Sequence, residues 1–159
     1  MEQTNLAYLA GLFDGEGTFS IQVKLRSAKG RKSVHFNPRM TMTLKYGTHE
    51  LTELQSVFGG QVYQYKNGCA RWNLSKREAL ISATAALLPF LRIKKHIGVR
   101  FLEALGIFPA SRKDHLKGQR SWTPEMVQKV AHIALTLNPY RKSKQEPEWA
   151  YLAAEEVKE

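Results

Sequence analysis

The stretch LAGLFDGEGTFSIQVKLR, Leu9 to Arg26, joins two patterns with no linker between them. The first half is apolar almost all round and breaks off in Asp14, Gly15, Glu16 and Gly17. In the second, Phe19, Ile21, Val23 and Leu25 alternate with Thr18, Ser20, Gln22, Lys24 and Arg26. A period of two is that of a strand with one buried and one polar face. The first half reads as a short helix, capped by Thr4 or Asn5, running from Leu6 to a stop at Gly15.

At about 100° per residue, Ala7, Ala10, Gly11 and Asp14 share one narrow helix face, and Leu6, Leu9 and Phe13 lie beside it. Small residues let another helix backbone come close. No other short helix of the chain offers a matching small face, so the simplest partner is the same helix of a second copy. The acids stand at the helix C-terminus, where the macrodipole already disfavours carboxylates. Two Glu16 side chains meeting there would call for a cation, and oxygen donors suit Mg²⁺. Taken alone, Asp14 and Glu16 also fit ordinary turn and cap residues.

Outward from this stretch, Met40, Met42 and Leu44 alternate with Arg39, Thr41, Thr43 and Lys45, a partner strand reached through a basic loop at Ser27 to Ser33. Thr48 caps an amphipathic helix carrying Leu51, Leu54, Val57 and Phe58. Asn67 and Gly68 then mark a two-residue hairpin turn, which pairs Lys66 with Cys69 and Gln64 with Arg71 and turns Tyr63, Tyr65, Trp72 and Leu74 toward the core. Ser75 and Glu78 form a capping box for a helix to about Leu88, and after Pro89 a second helical stretch runs from Phe90 to about Gly106. Thr123 and Pro124 open another helix to about Leu137, and Pro147 a last one. The class is α+β, in the order helix, two strands, helix, two strands, helix, with extra C-terminal helices.

With 24 Lys and Arg against 14 Asp and Glu, the 159-residue chain carries a formal charge of +10. Such a field attracts polyanions, nucleic acid first, although a basic surface also serves solubility. Cys69 is the only cysteine, which excludes an intrachain disulfide and a cysteine-rich zinc site. No apolar run approaches the roughly 18 residues of a membrane span, and no signal core opens the chain. A soluble intracellular protein with no membrane partner is expected, in a prokaryotic cytoplasm or an organelle.

LAGLFDGEG, Leu9 to Gly17, resembles the signature of the LAGLIDADG homing endonucleases, and the element order extends the likeness over about residues 5–105. LPFLRIKKH, Leu88 to His96, is similar to the family's stretch bearing a basic residue near the active site. The resemblance implies a single domain over 1–159, with a core at about 5–105 and a helical extension at about 106–159, and a saddle-shaped antiparallel sheet. One motif copy resembles the homodimeric, intron-encoded branch, paired through the Leu6 to Asp14 helix. Implied too are a metal held by Glu16 and the Gly15 carbonyl and an active-site lysine at Lys94, with Lys95 as its rival. The metal would be Mg²⁺, with Mn²⁺ or Ca²⁺ as other occupants, and no small-molecule cofactor is implied. The implied activity is hydrolysis of both strands of a long, roughly palindromic double-stranded DNA site, leaving short 3′ overhangs. The other function left open is a non-cleaving DNA- or RNA-binding protein of the same fold, an intron maturase or a regulator.

On such a sheet the face toward the major groove would carry Ser20, Gln22, Lys24, Arg26, Asn37, Arg39, Thr41, Thr43, Gln64, Lys66, Arg71 and Asn73, each able to meet a base edge or a phosphate. Lys45, with Tyr46, falls near the place where the family often has a polar residue of its water network. Lys29, Arg31 and Lys32 in the first loop, and Arg141, Lys142 and Lys144 near the C-terminus, fit phosphate contacts or a solvated charge run. His96, His115 and His132 lack metal-ligand spacing.

Overall fold

The computed structural model describes residues 3–28, 31–109, 122–137 and 149–153. In chain order these form helix α1 (Gln3–Glu16), strands β1 (Gly17–Ala28) and β2 (Arg31–Lys45), helix α2 (Thr48–Phe58), strands β3 (Gln61–Gln64) and β4 (Cys69–Leu74), and helices α3 (Arg77–Leu87), α4 (Lys95–Ile107) and α5 (Pro124–Thr136). A 3₁₀ turn follows at Ala150–Ala153. The expected order of helices and strands is the observed one.

The four strands form one antiparallel sheet in the order β1-β2-β4-β3. Its apolar face carries Phe19, Ile21, Phe36, Met40, Met42, Ala70, Trp72 and Leu74, all buried. Onto that face pack Leu9, Ala10 and Phe13 of α1, Leu51 and Leu54 of α2, Leu80, Ala83 and Leu87 of α3, Phe101, Ala104 and Leu105 of α4, and Val130, Ala131, Ile133 and Ala134 of α5. Helices on one face and polar side chains on the other make this a two-layer α+β domain.

Several boundaries differ from those read in the sequence. Pairing of β1 with β2 continues to Ser27 with Lys32 and Ala28 with Arg31, so the expected loop at Ser27 to Ser33 is largely hairpin. Val34 and Phe36 extend the alternation opposite Leu25 and Val23. Pro38 interrupted the pattern but is tolerated, because β4 pairs only with Met40 to Lys45 and leaves the other edge of β2 free beside Pro38. Lys76, not Ser75, precedes α3, and no side chain caps it; the ladder holds Leu74 opposite Met40, which leaves Ser75 in the strand's exit. Gly47 takes the cap position expected of Thr48. Thr123 does cap α5, its Oγ1 accepting the Met126 N–H at 3.3 Å, with Pro124 in the first turn. Pro147, with Lys29, Arg141, Lys142 and Lys144, lies outside the described residues.

The hairpin correction has the largest effect. Tyr65 N–H donates to the Cys69 carbonyl at 2.8 Å and Gly68 N–H to the Tyr65 carbonyl at 3.1 Å. Only Gly68 of the turn has positive φ, 78°. This is a three-residue loop with glycine in the left-handed position, rather than the two-residue turn expected. Tyr63 therefore pairs with Arg71 and Gln64 with Ala70. A one-residue slip exchanges faces, so Tyr63 and Tyr65 stand on the polar side, not in the core, and Gln64 leaves it. Lys66 lies in the turn, unpaired with Cys69.

The junction of α1 with β1 is tight. Phe13 is fully buried and meets Phe19 edge-on, with ring centroids 4.9 Å apart. A Cβ at Gly17 would lie 2.3 Å from the Phe13 ring. Gly17→Ala should therefore cost about 1–3 kcal/mol through forced repacking. At Gly11, which has open space around it within the chain, alanine should instead add the roughly 0.5–1 kcal/mol it gains over glycine inside a helix, so Gly11→Ala should not lower the urea midpoint.

Candidate functional site

The end of α1 and the start of α4 are joined by an exchange of capping groups. The amides at a helix start and the carbonyls at a helix end have no partner within their helix. Asp14, the buried acid of the motif, answers the amides of the turn that runs into the start of α4. Its Oδ2 accepts the N–H groups of Arg92 at 2.7 Å and Ile93 at 2.9 Å, and its Oδ1 that of Lys94 at 2.7 Å. Lys94 answers the second set: its ammonium donates to the carbonyls of Phe13 at 3.3 Å, Asp14, and Gly15 at 3.1 Å. The turn preceding α4 is thereby held non-helical, so α4 starts at Lys95 instead of near Phe90.

Burial raises the Asp14 pKa, but the three amides and the Lys94 charge outweigh it and hold the carboxyl below the usual aspartate value. Burial depresses the Lys94 pKa, opposed by the carboxylates of Asp14 and Glu16, and it stays below that of an ordinary lysine. The bond from the Lys94 ammonium to the Gly15 carbonyl puts its charge at the helix end that carries Glu16. Lys95 is exposed on α4, and none of its contacts reaches Gly15.

Glu16 is the last residue of α1, exposed, with no ion pair to any described residue. Beside it lies the Gly15 carbonyl. Among the described residues no group of three His, Cys, Asp or Glu side chains is placed to hold a metal. One carboxylate and one carbonyl are hard oxygen donors that fit Mg²⁺ or Ca²⁺ and not a soft metal, provided that the remaining ligands come from water, phosphate or a second chain.

From Gly17 the polar sheet face leads away from this point. Register puts Thr18, Thr41, Asn73 and Gln61 in one row across the strands, and Thr43, Arg71 and Tyr63 in another. Ser20 pairs with Arg39, Gln22 with Asn37, Lys24 with His35, Arg26 with Ser33, and Lys45 with Cys69. A groove on this face is lined by Thr18, Ser20, Gln22, Arg39, Thr41, Tyr63, Tyr65, Arg71, Asn73 and Ser75. Of the strand residues singled out in the sequence, the sheet gathers all on this face except Gln64 and Lys66. It adds Thr18 and Ser75, which continue the alternation of β1 and β4, and Tyr63 and Tyr65, which the correct hairpin register would have supplied. Tyr46 is 81% exposed with φ 60°, and the Lys45 ammonium lies 5.3 Å from its ring centroid.

The small face of α1 needs a correction. Ala10 is fully buried within its own chain and is not available to a partner helix, and Asp14, 8% exposed, offers such a helix no more than an edge. The 3.6-residue turn carries both toward the core side, next to Leu9 and Phe13. Open to solvent instead are Gly11, Gly15 and Tyr8. Gly11 and Gly15 join Ala7, Asp14, Pro89, Phe90, Arg92 and Ile93 around a shallow depression.

The family model described as LAGLIDADG endonuclease matches residues 9–100. The chain belongs to the LAGLIDADG endonuclease family. No curated protein matches the chain. Among solved structures it is similar to the homing endonuclease I-CvuI in complex with the I-CreI target in the presence of Mg, the DNA not cleaved (20% identity, TM-score 0.69, 91% of this chain and 87% of that one). It is similar also to the archaeal intron-encoded homing endonuclease I-Vdi141I complexed with DNA (17% identity, TM-score 0.71, 96% and 94%). A third likeness is to the LAGLIDADG meganuclease I-CpaMI bound to uncleaved DNA (21% identity, TM-score 0.65), of which it spans 44% with 84% of its own length. At these identities the likeness is one of fold, and the sheet and helices described above are the LAGLIDADG homing-endonuclease fold. No helix among the described residues is long and apolar enough to cross a membrane.

Asp14→Asn keeps the shape but loses the charge and one of the two acceptor oxygens, so it should destabilise the fold by about 2–3 kcal/mol in urea titrations. Because the folded-state pKa of Asp14 is lowered, its contribution is full above the unfolded value, about 4, and fades as pH falls below it. The gap between wild type and variant should narrow over that acid range.

Proposed function

We propose that the chain is a site-specific homing endonuclease that cuts both strands of a long, roughly palindromic DNA site and leaves short 3′ overhangs. The observation that carries the reading is the meeting of Glu16, the Gly15 carbonyl and Lys94 at the point where the polar sheet face begins. Residues 1–159 act as one domain, with the core at about 5–105. The charge of +10 draws in the duplex, and the polar face lies in the major groove, where base edges distinguish all four pairs.

Glu16 and the Gly15 carbonyl are the groups that would hold a divalent cation, Mg²⁺ by preference, with Mn²⁺ or Ca²⁺ as substitutes. When bound, the cation lowers the pKa of an attacking water and neutralises charge on the phosphodiester. Lys94 brings a second positive charge to the same phosphate, its ammonium held in place by the α1 carbonyls. The turn held by the Asp14 carboxylate keeps this lysine aimed at the Glu16 end of the helix. Two copies, paired through the exposed small face at Ala7, Gly11 and Gly15, bring two such ends side by side, one for each strand.

With a library of long duplex sites and Mg²⁺, wild type should yield discrete products. Glu16→Gln should bind the same site and leave it intact; normal cleavage by that variant would remove Glu16 from the mechanism. A wild type that binds tightly and never cuts, with either Mg²⁺ or Mn²⁺, would favour the maturase or regulator reading. For assembly, light scattering at micromolar concentration should give a dimeric mass, and Gly11→Leu, which places a bulky side chain in open space, should give a folded monomer.

A further inference from the structure

The polar face carries two groups that hydrogen-bond recognition does not account for. Tyr63 and Tyr65 are 47% and 48% exposed, both on β3 or its exit and both lining the groove. Aromatic residues suit strands, but propensity does not choose the face, and the core side was open to them under the other register. On the groove side their ring area is left to solvent, which costs free energy unless a partner covers it.

The neighbours of Tyr63 narrow what that partner can be. Its hydroxyl donates to Gln61 Oε1 on the same face, so the proton that could seek a phosphate or base acceptor is already engaged. Arg71 stands directly opposite in the ladder. The row Thr43, Arg71, Tyr63 thus offers a guanidinium flanked by an apolar ring and a methyl-bearing side chain. In the major groove the one apolar feature of a base pair is the C5 methyl of thymine.

Resting on the endonuclease reading, we propose that Tyr63 and Tyr65 are specificity-determining residues that select thymine by packing their rings on its C5 methyl. Arg71 serves an adjacent guanine or phosphate. The hydroxyl of Tyr63 orients Gln61 and does not read DNA.

Binding selections from a randomised duplex library with wild type and with Tyr63→Ser/Tyr65→Ser test this. Both positions are exposed, and thermal melts check that the variant is folded. Wild type should prefer thymine at positions where the double variant is indifferent. Deoxyuridine at those positions removes only the methyl; it should weaken wild type about four-fold per position, the worth of one buried methyl group, and leave the double variant unaffected. Tyr63→Phe should retain the wild-type preference. Wild type that accepts uracil as well as thymine, or Tyr63→Phe that loses as much as the serine variant, overturns the proposal while the endonuclease reading stands. A library from which no site emerges overturns both.

Discussion

The structure turns on the exchange between Asp14 and Lys94. A carboxylate at a helix C-terminus opposes the macrodipole, and in isolation Asp14 would weaken α1. Here it faces the amides that lead into α4, where a negative charge is favoured, while the ammonium of Lys94 caps the end of α1. Each helix receives from the other the charge its own terminus lacks. The two segments are far apart in sequence, so this contact closes the fold around the motif. It is also what delivers Lys94, and no other lysine among the described residues, to the Gly15 carbonyl beside Glu16.

The second constraint is the parity of the sheet. The five described helices pack on one side, so each strand residue is committed to core or groove by its register alone. Ala70, Trp72 and Leu74 on β4 and Met40 and Met42 on β2 fix the buried set. What remains is a continuous polar surface whose composition is set residue by residue. The indole N–H of Trp72, which would be costly if unpaired, donates to the Gly59 carbonyl at 2.8 Å. This ties the exit of α2 to the sheet and leaves the groove free of structural tasks.

How much of this was legible in the sequence depended on whether the signal was local. The alternation of β1 and β2, the Thr123–Pro124 start of α5 and the order of elements are carried by neighbouring residues, and all are present in the structure. Asn67 and Gly68 fit two turn types with different registers, and only the tertiary pairing of Val62 with Trp72 decides between them. Asp14 was read by helix geometry as part of an outward face, because its partners, the amides of Arg92, Ile93 and Lys94, carry no sequence signature. The choice between Lys94 and Lys95 as neighbour of Gly15 was equally invisible, since it rests on where α4 begins. The fold was therefore readable almost entirely, whereas the site was readable as a list of residues and not as an arrangement.

The absence of any linker between Glu16 and Gly17 has a mechanical consequence. A site on a loop could drift relative to the surface that reads DNA, and accuracy of cutting would then depend on loop order. In this chain the carboxylate leaves the last residue of a helix and the next residue opens β1. The junction is clamped from within: Phe13 covers Gly17, Phe19 packs on Phe13, and Phe101 of α4 lies against Phe19 with centroids 5.2 Å apart. The helix bearing Phe101 is the one whose start is held by Asp14, so the aromatic stack and the capping exchange fasten the same two elements at different heights. Displacing Glu16 from the sheet face would require breaking both. Under the proposed reading, the distance along the duplex between a recognised base and the phosphate that is cut is thus a property of the folded core, set by the same nine residues, Leu9 to Gly17, in which the helix, the acids and the strand meet.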